Sequence, residues 1–533
     1  MCPIRSRAFA KQNNVKKILV TGGAGFIGSN LCQELLKDGH EVVCVDSFFS
    51  GKMENIRHLL ADNRFKLIQH NIIQPLNTKF DRLDEIYNLA CPASPVQYQF
   101  DPILTLRTSV NGMQNMLDLA RKYGAKILQT STSEVYGDPL EHPQKESYFG
   151  NVDCLGKRAC YDEGKRAAET LCKDYATNYG VDARIVRLFN VYGPKMMFND
   201  GRVISNFILQ ALLSEDITVH GEGKQSRSFM YIDDLISAFK KLMDMPKETI
   251  GWQPTNLGNP DERTIKSLAE DIKKISGSAS KIIFLGYETI PERTGDPQQR
   301  CPDISRAQAI LDWRPTVGFD DGLRKTVEDF KARLGNKTRI LVFAPAYLPF
   351  KGPAETAVQE ITDRLIGYDF DLITAKTDSK LAAEEKIGRV NVYRVGAGRS
   401  FDKYLLPLLA SIKAGRLHKK HDYQAAWAIM ASYGSLAAVI FSFFSRVAFL
   451  VSLFEGKIDN LNSLRRKIFT PLYKIIFRRA NRFQIIAGLD QQQLAWLEDE
   501  KKLQALDLSK GADYVAKKTK EKFQELEIIS SRL

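Results

Sequence analysis

Two spacings in this 533-residue chain could do chemistry together. Tyr161 and Lys165 stand four apart in ACYDEGKRAAET, the start of an amphipathic helix, so both side chains fall on one face. A lysine cation near a phenol favours the phenolate and is expected to lower the tyrosine pKa toward working pH. Tyr161 then becomes a base for a hydroxyl proton during hydride transfer. Upstream, KILVTGGAGFIGSNL places Gly22, Gly25 and Gly28 directly between a strand and a helix. Glycines there remove the Cβ atoms that would block a pyrophosphate, and the helix N-terminus offers N–H groups and a positive dipole end to that anion. Asp46 closes the next strand, where a carboxylate accepts from ribose hydroxyls and repels a 2′-phosphate, so NAD is expected rather than NADP. Taken singly these are weak signals, since Y-x-x-x-K recurs by chance and a glycine-rich turn need hold nothing. Strand before, helix after and acid beyond, followed by STSEVYG and the Tyr161 helix, make them one reading.

The elements that must position these residues alternate along the chain. KILVT, EVVCVD, FKLIQ, EIYNLA and KILQTS are near-continuous apolar runs, as strands buried on both faces of a parallel sheet require. Helical patterns separate them, for instance Phe26 to Asp38 and Pro102 to Tyr123. The expected fold class is α/β, a Rossmann-type doubly wound sheet. After about Asn190 the rhythm loosens into Gly- and Pro-rich turns, near Tyr192 to Pro194 and Glu292 to Pro302, as a smaller substrate-binding region would. A second start appears at RILVFAPAYLPFKGPAE after a Gly335-Asn336-Lys337 linker, with further strand candidates at FDLITA, VNVYRV, YQAAWAIM, FLVSLF and FQIIAG. The expected division is a basic tail over residues 1–14, a first domain over 15–335 and a second Rossmann-like α/β domain over 336–533.

Composition narrows the classes. A chain this long exceeds one core and should divide. Its ordinary apolar and charged fractions, 44% and 26%, suggest neither disorder nor a membrane bundle. The net charge of +13 identifies no partner by itself, and nucleic acid is not expected. All eight cysteines precede residue 302 and none makes a C-x-x-C pair, so reduced thiols in a cytoplasmic protein are expected, with no metal. MCPIRSRAFAKQNN has no apolar core and is read as a tail rather than a signal peptide.

Residues from about 15 to 334 resemble the extended short-chain dehydrogenase/reductases, and among them the UDP-glucuronate decarboxylases. The matching segments are TGGAGFIGSNL, NLACPASPVQYQ, TSTSEVYGDP, ACYDEGKRAAE, RLFNVYGP, NDGRVISNFILQAL, SRSFMYIDD and DPQQRCPDI. The resemblance implies NAD-dependent decarboxylation of UDP-glucuronate to UDP-xylose through a 4-keto sugar, with NAD regenerated in place. It implies Thr132 on the reacting sugar oxygen, Tyr161 and Lys165 as base and activator, and Glu134 and Arg300 as the carboxylate and guanidinium that mark decarboxylases. It places Phe26, Ile27, Asn71, Ile72 and Leu89 with the glycines and Asp46 around the cofactor. Tyr98, Arg107, Ser133, Asn190, Arg202, Arg227 and Tyr231, with Arg300, fall around the substrate. Three positions depart from the pattern: Arg107 for a lysine, Asn71 for an aspartate, and Cys301 for a basic residue. The helices Pro102 to Tyr123 and Arg158 to Tyr179 correspond to those that pair in homodimers of the superfamily. A 4,6-dehydratase or 4-epimerase would share NAD and the Tyr161/Lys165 pair, but Glu134 with Arg300 argues against both. A non-catalytic nucleotide-sugar-binding module at a membrane is opposed by the intact Thr132, Tyr161 and Lys165 set.

From Arg339 the chain resembles the acceptor-side half of GT-B glycosyltransferases, through FAPAYLPFKGPAE, WAIMASYGSLAAV, FLVSLFEGK and ANRFQIIAG. Pro353 stands where that family often has a second glycine, and no donor-binding half follows. An acceptor or docking role is implied, beside a partner glycosyltransferase or at a membrane surface. Ala425 to Ser445 is long and uncharged enough for a membrane span, but the α/β alternation favours a buried strand and helix. RRKIFTPLYKIIFRRANR, Arg465 to Arg482, carries seven basic and no acidic side chains, which suits either a solvated helix face or an anionic surface.

Overall fold

A computed structural model describes residues 15–198, 201–286, 299–335 and 338–453 apart from the single positions 351, 366, 400 and 431, with short stretches between 475 and 526. The basic tail, most of Arg465 to Arg482, and parts of the Glu292 to Pro302 turn and the linker lie outside them. The chain divides into two compact units, residues 1–332 and 333–533.

In the first unit, strands β1 (Lys17–Thr21), β2 (Glu41–Asp46), β3 (Phe65–Gln69), β4 (Glu85–Asn88), β5 (Lys126–Thr132) and β6 (Ala183–Leu188) form the main sheet. Then follow β7 (Asn190–Tyr192), β8 (Ile217–His220), β9 (Ser226–Tyr231), β10 (Thr255–Leu257), β11 (Glu262–Thr264) and β12 (Ile282–Leu285). The sheet order is β10-β6-β5-β4-β1-β2-β3, with every pairing parallel. The inner strands β1, β2, β4 and β5 are buried on both faces, whereas the edge strand β3 is partly exposed. On one face Leu19, Val43, Ile86 and Ile127 pack with Met113, Met116, Leu117, Ala168 and Cys172, contributed by the helices Met113–Tyr123 and Ala159–Tyr179. The strand order reverses between β1 and β4, which opens the crevice where doubly wound sheets bind ligands. The smaller sheets β11-β9-β7 and β12-β8 form the looser region after Asn190.

The run expected as one helix from Pro102 to Tyr123 is broken. Helices Pro102–Arg107 and Met113–Tyr123 are joined by a wider, π-type turn over Thr108–Gly112. Gly112, which ends that turn, lies against Ile72 so closely that a Cβ would stand 2.7 Å from Cδ1 of that residue.

The second unit is an eight-stranded sheet, ordered β15-β16-β14-β13-β17-β18-β19-β20, with only the edge pair β15–β16 antiparallel. The strands are β13 (Thr338–Phe343), β14 (Tyr368–Ala375), β15 (Glu384–Ile387), β16 (Val390–Val395), β17 (Ala425–Ile429), β18 (Phe449–Leu453), β19 (Arg482–Ile485) and β20 (Leu503–Ala505). The uncharged run from Ala425 divides into fully buried β17 and the helix Tyr433–Ser445. Among the described residues no helix is long and apolar enough to cross a membrane.

Candidate active site

Around the turn after β1, positions 22 and 28 have no room for a side chain. Gly22 takes φ +66°, and a Cβ on it would lie 3.0 Å from the backbone of Ala90 across the crevice. A Cβ on Gly28 would meet the carbonyl oxygen of Gly22 at 2.2 Å, so helix Phe26–Lys37 approaches the turn only because position 28 is glycine. Gly25 caps this helix, and Phe26 and Ile27 open it with no acidic side chain in its first turn. Its first N–H groups, which have no intrahelical acceptors, therefore suit a pyrophosphate.

At the end of β2 the Asp46 carboxylate is buried, accepting from the Ala24 N–H at 2.9 Å and the Phe48 N–H at 2.7 Å. Burial raises its pKa and these two donors oppose the rise. A Cβ on Gly51 would stand 2.8 Å from both carboxylate oxygens, so that glycine, unforeseen in the sequence, leaves the acid approachable. Ile72 is buried, Leu89 is half-buried at the end of β4, and Asn71 is exposed with its side-chain oxygen accepting from the Ile73 N–H. These residues fit an NAD dinucleotide.

Helix Ala159–Tyr179 carries Tyr161 and Lys165 to the C-terminal end of β5, both buried. The Lys165 ammonium donates to the Thr130 carbonyl at 2.7 Å and lies 5.8 Å from the Tyr161 ring centroid. Tyr98 stacks on Tyr161, centroids 5.1 Å apart and planes 10° from parallel. Thr132 ends β5, accepts from the Glu134 N–H at 3.2 Å, and its hydroxyl acts on the Tyr161 phenol in favour of the phenolate. The expected depression of the tyrosine pKa is not what the structure has. Burial pushes the phenol well up, Cys91 and Glu134 push the same way, and Thr132 and Arg202 pull it back. The lysine is engaged by a backbone carbonyl, and burial is the largest influence on the phenol.

One short turn beyond, Glu134 is clamped by two guanidiniums, Arg300 on one carboxylate oxygen and Arg158 on the other. Burial opposes its ionisation, but the charges of Arg158, Arg300 and Arg227 hold its pKa below the ordinary value. Arg300 also donates to the Gly137 carbonyl at 2.8 Å, while its buried Nε has no partner among the described residues. Arg158 was not foreseen as a site residue. The available signal was its place three positions before Tyr161, one helical turn away on the same face. Asp162 is a second unforeseen group, buried with one oxygen unpartnered and the other 3.9 Å from Arg158. Burial and then the Glu134 charge push its pKa up to about 7, against Arg158 and Arg300.

The remaining substrate candidates divide. Arg202 and Arg227 are close enough for their charges to act on Tyr161 and Glu134 respectively. Ser133 is buried in the turn beside Glu134. Asn190 donates to the Ser228 carbonyl at 3.4 Å and Arg107 is exposed at a helix end. Tyr231 is packed edge-on against Tyr192 and close over Gly322, contacts of the smaller region rather than of the Tyr161 group.

Residues 19–326 match the protein family described as GDP-mannose 4,6 dehydratase. UDP-glucuronic acid decarboxylase 1 of Arabidopsis thaliana is 49% identical over 321 residues, which cover 60% of this chain and 71% of the relative. UDP-glucuronic acid decarboxylase 1 of Danio rerio is 48% identical over 326 residues, 61% of this chain and 75% of the relative. Among solved structures, the UDP-glucuronic acid 4-epimerase of Bacillus cereus, in complex with UDP-glucuronic acid and NAD, superposes with TM-score 0.53 at 31% identity. It covers 59% of this chain and 99% of its own.

Proposed function

The chain belongs to the GDP-mannose 4,6-dehydratase family, and from that premise we propose that its first unit decarboxylates UDP-glucuronate to UDP-xylose with NAD as cofactor. The observation that carries this reading is the Glu134 carboxylate held between Arg158 and Arg300 beside the Thr132, Tyr161 and Lys165 set. The decarboxylase names of relatives near 48% identity support it.

NAD, held by Gly22, Gly25, Gly28 and Asp46, supplies the two-electron acceptor and a positive charge that favours the phenolate. Tyr161 takes the proton of the sugar 4-hydroxyl, with Thr132 sharing that hydrogen bond and Lys165 fixing the helix face from the Thr130 carbonyl. Once C4 is a ketone, the C6 carboxylate is β to a carbonyl and leaves as CO₂, its bonding electrons passing into an enolate. The Tyr161 and Thr132 hydroxyls stabilise that oxyanion as donors. Protonation at C5 and reduction of C4 complete UDP-xylose, with no net oxidation. Arg300, whose Nε is unpartnered, supplies a donor for the departing carboxylate; Glu134, already neutralised by two arginines, keeps that guanidinium in place. Incubation with UDP-glucuronate and NAD should yield UDP-xylose and CO₂ without stoichiometric NADH. A product that retains its carboxylate would make the protein an epimerase; accumulation of a 4-keto sugar alone would restrict the reading to a partial reaction.

Pairing of the helices that carry Ile103, Leu106 and Tyr179 into a homodimer is part of this reading, supported by the exposure of those side chains. For the second unit the proposed role is glycosyltransferase-like acceptor binding or docking, at an anionic membrane surface or on a partner glycosyltransferase. Exposed Phe401, Tyr404, Leu408, Phe443 and Phe444, on or beside two helices in mutual contact, support it.

A further inference from the structure

Behind Arg300, the next residue meets two side chains from distant parts of the first unit. Cys301 Sγ, a ring nitrogen of His142 and a carboxylate oxygen of Glu262 all lie within 4.8 Å of one another. We propose that these three side chains bind a borderline-soft divalent cation of the Zn²⁺ kind, and that occupancy fastens the Arg300–Pro302 segment to the His142 loop and to β11.

The donor set is one Cys, one His and one carboxylate, the mixture that zinc takes. Bonds of about 2.0–2.3 Å in a tetrahedron put ligand atoms roughly 3.5 Å apart. His142 Nε2 and Glu262 Oε2 are already 2.9 Å apart, and both side chains reach solvent, so closing on the thiol needs only rotamer adjustment. Cys301 is buried and donates to the Pro260 carbonyl at 3.3 Å, a weak contact that a metal would replace.

The surroundings hold the ligands in place. Glu262 uses its other oxygen to accept from the Ser226 hydroxyl at 2.7 Å, leaving Oε2 for the ion. Gln144, two residues after His142, exchanges bonds with the Cys301 segment: its N–H donates to the Cys301 carbonyl at 2.9 Å, and its side-chain oxygen accepts from the Cys301 N–H at 3.0 Å. Asp303 N–H donates to the Gln144 carbonyl at 2.9 Å. Asp261 and Asp303 add negative potential at the thiol, which a cation would relieve.

Cobalt(II) titration of the full chain tests this without using turnover, and so stands apart from the decarboxylase reading. The wild type should show thiolate-to-cobalt charge-transfer absorption saturating at one ion per chain. Cys301→Ser should lose it, and His142→Ala and Glu262→Gln should each weaken binding more than about tenfold, roughly 1.4 kcal/mol. Zinc should raise the wild-type melting temperature and leave that of Cys301→Ser unmoved. An undiminished band in Cys301→Ser, wild-type affinity in either exposed-ligand variant, absence of a zinc shift, or displacement of cobalt by Mg²⁺ would each overturn the proposal. The exposed His142 and Glu262 keep the test decisive should Cys301→Ser fold poorly.

Discussion

Both units place a strand in the middle of a parallel sheet, then a glycine-containing loop, then a helix. In the first, a Cβ on Gly28 would strike backbone, the Gly22 carbonyl at 2.2 Å; in the second, a Cβ on Gly352 would meet only the flexible end of Glu355. Each unit also holds an acid among bonded partners, half-buried in the first and fully buried in the second. Glu134 is held by two arginines, whereas Asp371 is satisfied mainly by neutral donors, the Tyr423 hydroxyl at 2.5 Å and the Asn391 amide at 2.7 Å, with Arg339 at 3.4 Å. One topology thus serves a charged, narrow site and a self-contained polar centre. Function follows the loops and their side chains, not the sheet.

The sharpest break in this comparison is Tyr161→Phe. It removes the proposed proton acceptor while leaving the glycine turn and Asp46 untouched, so turnover of UDP-glucuronate should fall by roughly 10²–10⁴ with NAD affinity nearly unchanged. Steady-state kinetics beside NAD titration decides it, and activity within about tenfold of wild type would remove Tyr161 from its role.

The two acids should answer differently to loss of a partner. Arg158→Met leaves Glu134 with Arg300 as its directly bonded cation and should cost about 2 kcal/mol in urea unfolding. Asp371→Asn keeps one oxygen for the Asn391 amide and turns an NH₂ toward the Tyr423 hydroxyl, which can accept from it, and should cost about 1 kcal/mol. Equal losses would mean that the arginine clamp is no more than ordinary packing. The glycines extend the contrast: Gly28→Ala should raise the Kd for NAD more than about tenfold, and Gly352→Ala should alter stability by less than about 0.5 kcal/mol.

What was legible beforehand follows the same division. β1 and β2 begin and end where the apolar runs do, because strands buried on both faces carry their boundaries in composition. The glycine turn was legible because backbone contact leaves glycine no substitute. Arg158 was not, since its bond to Glu134 spans 24 residues and exists only once β5 and the helix Ala159–Tyr179 meet. The Tyr161 pKa was misread for a related reason: spacing places Lys165 near the phenol but says nothing of how deeply the pair is buried. The exposed, polar edge strand β15 had no apolar pattern to announce it.

A smaller effect separates Asp162 from its neighbour Glu134. In the unfolded chain its proton leaves near pH 3.8, in the folded chain at about 7. Between those values the folded state holds the extra proton, so this group's contribution to stability declines as pH rises, and the decline is complete above about 7. Asp162→Asn should remove that decline, gaining on the wild type steadily from acid to neutral pH in denaturant midpoints. Parallel profiles for the two proteins would show that Asp162 ionises as an ordinary surface carboxylate does.

The least effect per residue belongs to the second unit, where the docking reading separates from mere solvation. Phe443 and Phe444 are 64% and 82% exposed at the end of helix Tyr433–Ser445, and the Arg479 guanidinium lies 4.5 Å from the Phe443 ring centroid. An aromatic that stays in water beside a cation is what an anionic lipid surface can bind from two directions, by burial of the ring and by attraction of the charge. Each basic side chain near such a surface contributes about 1 kcal/mol, screened within a Debye length of about 10 Å at 0.1 M salt. The full chain should therefore co-sediment with anionic vesicles at low salt, release as salt rises, and ignore neutral vesicles. Phe443→Glu with Phe444→Glu should weaken that binding while leaving decarboxylation untouched, since neither residue belongs to the first unit. Negligible binding in every condition would sink the membrane version and leave the partner glycosyltransferase. Binding that ignores the two phenylalanines would place the contact on other basic segments of the chain.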